Sequence, residues 1–382
     1  MSIAEHLLNL KPFSIITVPR GGSDYLQSLL DGNPEILLYV LNFQFFSNYI
    51  QNTKCKYNNR ILNVEDFIYE FVGNEIWRFN TLYHFREGLD RLGRDMNKSL
   101  NINKNDFIKI FLEIINSYEP SEKNLLISLY ASYHVCLGRD IYKTKIILHH
   151  SHTREEDVLF KKSFPDTKTI CCLREPRSSI YSMINNIKNN FEEKYHYYTY
   201  YDALIVLKNI NLAVKQHHSN KNWLFVRLED LPRENVLKDI SSFLGVQLIK
   251  SMYISTWGNL MWHGDRTSTK IFKGDEAWSP DRVKNNWENN LNMFDKIILF
   301  YSFKNIQIKF YQNKHYAKMR YIILLIAIIP ISLEFGFLNP KYWINNLKKN
   351  DQNSKIKIYS IPYYFLKVRF FFLKQIYDFS KK

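Results

Sequence analysis

The feature that most limits what this chain can fold into is one short stretch near its start. Phe13 to Val18 is an apolar, β-branched run, and Pro19-Arg20-Gly21-Gly22-Ser23 follows it at once. Tyr25, Leu26, Leu29 and Leu30 then recur at helical spacing. A strand that feeds a helix through so tight a turn points to an α/β chain. Asn33-Pro34 closes the helix, because a proline pushes the residue before it out of the α region.

The same alternation returns later. Lys145 to Leu148 reads as a strand, Glu155 to Ser163 as a helix, Thr167 to Leu173 as a strand, and Pro176 opens a further helix. Trp223 to Val226 is a fourth strand, and Glu229-Asp230 begin a helix ending near Leu244-Gly245. Such alternation implies a parallel sheet covered on both faces, whose ligands sit beyond the carboxyl ends of its strands. Residues 37–132 interrupt it. Their apolar residues repeat at helical spacing, as in Val64 to Val72 and Phe107 to Ile115, with no clear strand, and they read as a helical insertion. We find no internal repeat and no Gly-, Pro- or Ser-rich linker.

Length and composition allow this architecture. A chain of 382 residues with 46% hydrophobic and 16% aromatic residues can build a large core, and its 12 glycines and 11 prolines are too few for a disordered chain. The reading is one domain over residues 10–303 and a C-terminal appendage over residues 304–382. A net charge of +15 favours anionic partners, but no nucleic-acid motif accompanies it, so nucleic acid is not expected. Cys55, Cys136, Cys171 and Cys172 have no metal-ligand spacing and read as reduced thiols. The first residues lack a basic region and a long apolar core, so no signal peptide is expected and the site is expected in the cytoplasm.

Two strand ends carry basic residues. After the first, Arg20-Gly21-Gly22-Ser23-Asp24-Tyr25 offers open backbone N–H groups, a hydroxyl, a helix N-terminus and a fixed cation, a cradle for phosphate or sulfate. After the third, Leu173-Arg174-Glu175-Pro176-Arg177 puts Arg174 at the strand end, and Ser182 follows two helical turns later. A guanidinium fork and a hydroxyl there suit a second phosphate. Neither segment is a P-loop, since GxxxxGK[ST] is absent. A nucleotide with two separated anionic groups fits both.

In this order the motifs resemble the superfamily of sulfotransferases that use 3′-phosphoadenosine-5′-phosphosulfate (PAPS). The resemblance runs through Thr17 to Ser23 and on to Asn33-Pro34, then through Phe164-Pro165-Asp166 and Leu173 to Ser182. Val226 to Leu231 and Trp262-His263-Gly264-Asp265 with Phe272-Lys273-Gly274 extend it, so that it spans roughly residues 10 to 300. It implies an α/β, P-loop-like three-layer sandwich with a central parallel sheet, a helical insertion and a C-terminal helical appendage. It also implies PAPS as co-substrate, no metal, and transfer to a hydroxyl or amine; the basic charge and the aromatic-rich insertion, whose rings would stack on sugar faces, favour a carbohydrate or glycolipid as acceptor. The implied donor site is Arg20, Gly21, Gly22, Ser23, Asp24, Tyr25, Arg174, Ser182, Lys273 and Gly274. Three positions depart from the family pattern: Asp24 replaces a hydroxyl or small residue, Leu228 replaces an aromatic residue, and Lys273 lacks a preceding basic residue.

Sulfuryl transfer builds negative charge on the departing oxygen and needs a base for the acceptor's proton. Arg20 is the candidate for the first role. For the second, Leu148-His149-His150-Ser151-His152 lies just beyond a strand, and the resemblance implies His152, with His150 next and Glu155 or Glu156 as alternatives. A kinase of similar fold would show a P-loop lysine and metal-binding carboxylates, and a non-catalytic anion- or membrane-binding module would leave two phosphate-type turns without a purpose.

The tail lies outside the resemblance. Tyr321 to Leu333 is thirteen uncharged residues, too short to span a bilayer, which takes about twenty. With flanking lysines and the aromatic, basic run Tyr359 to Phe372, it suits peripheral contact with the inner face of a membrane.

Overall fold

The computed structural model describes residues 2–51, 63–85, 87–191, 196–231, 233–265, 287–311, 320–338 and 360–380. The chain divides into two compact units. The first comprises Met1–Thr17, Gly22–Cys172 and Ser219–Arg282, and the second Val18–Gly21, Leu173–His218 and Val283–Lys382.

In the first unit β1 (Lys11–Thr17), β2 (Ile36–Leu38), β3 (Ile146–His150), β4 (Lys168–Leu173) and β5 (Trp223–Arg227) form one sheet in the order β2-β3-β1-β4-β5. β1 lies parallel to both β3 and β4, with Ile15 opposite His150 and Thr17 opposite Cys172, and β2 runs parallel to β3. β3 is buried throughout, as an inner parallel strand must be, and this is why these runs are continuously apolar instead of alternating. The expected α/β class with a central parallel sheet is what the structure has. One detail differs. Ile36–Leu38, placed at the start of the helical insertion, is an edge strand, too short for its periodicity to show in the sequence.

Six helices of this unit position the site: α1 (Ile3–Leu8), α2 (Ser23–Leu30), α3 (Val64–Asn74), α4 (Lys104–Ile115), α5 (Glu122–Cys136) and α6 (Arg154–Ser163). Neighbouring strand residues point to opposite faces. His149 therefore meets Tyr130 of α5 and Phe160 of α6 on one face, whereas His150 meets Gln27 of α2 on the other. The adjacent cysteines divide the same way: Cys171 feels Asp157 and Lys161 of α6, and Cys172 feels Asp24 of α2. Burial pushes both thiols up, so neither is reactive.

The insertion is a core of its own. Tyr39, Phe43, Phe71, Phe79, Phe107, Phe111, Tyr130 and Tyr133 are fully buried and build this packing, whereas Tyr69, Tyr83 and Phe85 are exposed. Arg78 is buried among these rings. It bonds Glu75 (2.7 Å) and the carbonyls of Val40 and Asn42, and its guanidinium lies 4.0 Å from the Trp77 ring centre. A charge so enclosed is tolerable because every side of it is bonded or stacked.

The second unit is helical: α7 (Pro176–Asn190), α8 (His196–His217), α10 (Met293–Ser302), α11 (Lys304–Tyr311), α12 (Arg320–Ile326) and α13 (Ser360–Ser380), while α9 (Glu234–Leu244) belongs to the first. α13 packs on α8, α10 and α12. Fully buried Glu334 receives both oxygens' bonds from Arg369 of α13 and a third from Tyr200 of α8. The described residues after 304 belong to the unit that also holds residues 173–218. Among the described residues no helix is long and apolar enough to cross a membrane.

Candidate functional site

The site residues fall into two groups, one in each unit. In the second unit the turn after β1 is bent tightly: Gly21 N–H donates to the Val18 carbonyl at 2.9 Å. Arg20 sits in it at φ 58°, a left-handed backbone that a side chain with a Cβ disfavours. Two further bonds hold it there. Ser179 of α7 donates to the Pro19 carbonyl, and Arg174 donates from its guanidinium to the Arg20 carbonyl at 3.2 Å. Sparsely populated backbone persists where surrounding contacts over-determine it, and such positions cluster at functional sites. The two basic strand ends singled out in the sequence are therefore one bonded structure, with Arg174 bracing the turn that carries Arg20.

Glu175 and Arg177 of the same motif have other work. Glu175 caps α7 through Ser178 N–H (2.8 Å) and accepts from Arg177 (2.5 Å) and Gln307 (2.6 Å). Arg177 lies over the Trp287 ring at 4.0 Å, which leaves it a structural cation. Ser182 is half-buried on α7.

In the first unit Gly22 precedes α2 at φ 81°. A Cβ there would stand 2.3 Å from Leu228, so glycine is required both by the backbone and by close packing, and Leu228 fills the place where an aromatic ring was expected. Ser23, buried, and Asp24 and Tyr25, half-buried, open α2. The carboxylate of Asp24 stands 3.7 Å from Nδ1 of His150 and 3.7 Å from Nε2 of His152. His152 Nε2 is also 3.4 Å from the Ser23 hydroxyl, and the two imidazoles meet edge to face at 4.7 Å.

Gln27 sets the protonation of this cluster. Its amide NH2 donates to the carbonyls of Tyr39 (2.5 Å) and Leu41 (3.3 Å), which turns its oxygen to His150 Nδ1 at 2.8 Å. An oxygen there requires Nδ1 to be the donor, so the lone pair of His150 is on Nε2. That nitrogen is buried and has no hydrogen-bond partner among the described residues. Burial, aided by the neighbouring His152, lowers the His150 pKa to about 3 and keeps it neutral.

His149 and Glu156 are occupied elsewhere. His149 Nδ1 is 2.9 Å from the Tyr130 hydroxyl. Glu156 accepts from Phe46 N–H (2.9 Å) and Ser47 N–H (3.0 Å) and lies 3.5 Å from His149 Nε2. Burial alone would raise the Glu156 pKa, but these bonds hold it below the usual carboxylate value. It anchors residues 46 and 47 and is not placed as a base, while Glu155 is exposed. Trp262 and His263 hold the insertion, donating to the Glu87 carbonyl (2.8 Å) and bonding the Gly93 carbonyl (2.8 Å). Phe272, Lys273 and Gly274 lie outside the described residues.

Gln27 was missed by sequence reasoning. Its signal was a glutamine on the otherwise apolar face of a short helix beside a phosphate-type turn, a polar group that needs a buried partner.

No family model and no curated protein matches the chain. Among solved structures it is similar to the sulfotransferase domain of the Synechococcus PCC 7002 olefin synthase, at 17% identity over 78% of this chain and 95% of that one, with a TM-score of 0.38. It is also similar to sulfotransferase STF1 of Mycobacterium tuberculosis H37Rv, at 14% identity over 75% and 79%, with a TM-score of 0.34. Sulfotransferase STF9 of Mycobacterium avium matches at 11% identity over 65% and 68%, with a TM-score of 0.33. Scores this low assign neither activity nor substrate.

Proposed function

We propose that this chain is a sulfotransferase that moves a sulfuryl group from PAPS to a hydroxyl or amine. The observation that carries the reading is the left-handed Arg20 turn braced by Arg174. Two arginines tied into one strained turn suit an anion with charge to place, and an ordinary strand-to-helix connection has no use for either. Arg20 would stabilise the charge that grows on the departing phosphate oxygen, and Arg174 would hold the 3′-phosphate side of the nucleotide. His152, half-exposed and beside Asp24, is the base in this reading; His150, sealed and bonded to Gln27, serves to position. Atoms balance simply: the acceptor oxygen or nitrogen bonds sulfur, the S–O bond to the nucleotide breaks, PAP leaves with that electron pair, and His152 takes the acceptor's proton.

The acceptor is read chiefly from charge, since most of the insertion's described rings are buried. A net charge of +15 supports an anionic or membrane-borne acceptor, a glycolipid or carbohydrate among them. We also propose peripheral contact with an anionic bilayer. Tyr363, Leu366, Phe370 and Tyr377 form an exposed stripe along α13, with exposed Lys374 beside it.

Calorimetric titration with PAP in the presence of a chelator tests the donor assignment. Saturable binding without metal is the expected result. A chain that binds no PAP but binds a nucleoside triphosphate with magnesium would be a kinase, and the proposal would fall.

A further inference from the structure

Asp24 is a departure from the family pattern, and a carboxylate is an odd neighbour for a sulfate. Its surroundings explain it. One oxygen of Asp24, one nitrogen of His150 and one of His152 all lie within 4.8 Å of one another, with Asp24 3.7 Å from His152 Nε2. Ligands about 2.1 Å from a tetrahedral zinc ion stand about 3.4 Å from each other, so the three groups share an ion by closing a spread of at most 4.8 Å.

We propose that Asp24, His150 and His152 form a site for a divalent transition ion of the zinc class. The donor set, two imidazoles and one carboxylate, matches the preferences of such ions and not those of magnesium or calcium, which take oxygen. The second shell is already built. Gln27 fixes the His150 tautomer through Nδ1–H and leaves Nε2 with its lone pair, buried and without a hydrogen-bond partner among the described residues, as outer-shell amides and carbonyls do for metal-bound histidines. Asp24 and His152 are each about a third exposed, so an ion can enter from solvent and keep water in its open positions. The Ser23 hydroxyl, 3.4 Å from His152, stands beside the cluster.

The consequence rests on the reading of His152 as the base. One lone pair cannot bind an ion and accept a proton, so a bound ion switches the base off, and the site is a brake on transfer.

Cobalt(II) titration of the chelator-stripped full chain, followed by visible absorption, and zinc(II) titration by calorimetry test this. Uptake of one ion per chain is expected, with affinity reduced at least about a hundredfold in both Asp24→Asn and His152→Gln, since even outer-shell changes cost about ten- to hundredfold. Both positions are partly exposed, so these variants keep the fold; circular dichroism checks it. No saturable uptake by the parent, or unchanged uptake in both variants, overturns the site. If uptake behaves as expected while PAP does not bind, the donor assignment fails and the metal site stands.

Discussion

The two units treat buried charge in opposite ways. In the second, the buried carboxylates are bonded: Glu334 accepts three hydrogen bonds from two donors, Arg369 and Tyr200, and Glu175 is shared among Arg177, Gln307 and the α7 N-terminus. The turn that carries Arg20 is braced in the same unit by bonds to its carbonyls. In the first, the network beside α2 holds a neutral His150 nitrogen without a hydrogen-bond partner among the described residues, next to a half-exposed His152. Closed networks rigidify, whereas chemistry needs a group with a valence to spare. In the proposed function, holding falls to one unit and proton handling to the other.

That division makes the largest prediction. His152→Ala should lose about two to four powers of ten in turnover while keeping PAP affinity. Single-turnover transfer from labelled PAPS measures the first and calorimetry the second. Arg174→Ala should do the reverse, weakening PAP by about 1.5 to 3 kcal/mol, and Arg20→Ala should lower the rate more than the affinity. A His152 variant with near-normal turnover returns the role to His150, and an Arg174 variant that binds PAP like the parent removes the donor assignment.

How much of this was legible depended on range. β1, β4 and the helix at Pro176 were readable because their signals are local: a β-branched run, or a proline at the first helical position. The edge strand Ile36–Leu38 was not, because three residues carry no period. Asp24 was visible only as a misfit. Its partners are more than 120 residues away in sequence, and only the parallel register that sets Ile15 opposite His150 brings them to α2. The packing of the tail was hidden for a similar reason: Glu334, Arg369 and Tyr200 are individually unremarkable, and their meeting, which ties α13 into the second unit, is a tertiary event.

The units should also answer pH with opposite signs. Burial lowers His150 and His134 of the first unit to about 3, so between the ordinary histidine value and that point the unfolded chain binds more protons. Stability of the first unit is then full above about pH 6.5 and falls on acidification. Glu334 goes the other way. Burial, only partly offset by Arg369, raises it to about 7, so its folded form binds more protons and its contribution is present below the unfolded value and lost as pH rises through 7. Hydrogen exchange at pH 5.5 and 7.5, corrected for chemical rates, should show α2 less protected and α13 more protected at the lower pH. Glu334→Gln should flatten the response of α13 alone. Parallel responses in both units would break the comparison.

The smallest effect expected concerns the surface. The second unit exposes a stripe, Tyr363, Leu366, Phe370 and Tyr377, at the spacing of one helix face, with Leu325, Ile328 and Ile329 also exposed in the same unit. The first exposes large apolar residues too, Tyr83 and Phe85 among them, but on a short segment after α3 and without a continuous stripe. Contiguity matters, because a bilayer gains about 1.5 to 3 kcal/mol for each fully buried large side chain and a lone ring cannot hold a chain at the interface. Lys367 and Lys374 on α13 add attraction to anionic headgroups, a contribution that salt screens. In sedimentation with anionic vesicles at low salt, the parent should pellet, Leu366→Ser with Phe370→Ser should lower its partition by about tenfold or more, and Tyr83→Ser should change nothing. Recovery of the parent in the supernatant at every lipid concentration would sink the membrane contact, and equal losses from the α13 and Tyr83 substitutions would show that the stripe is no more adhesive than any exposed ring.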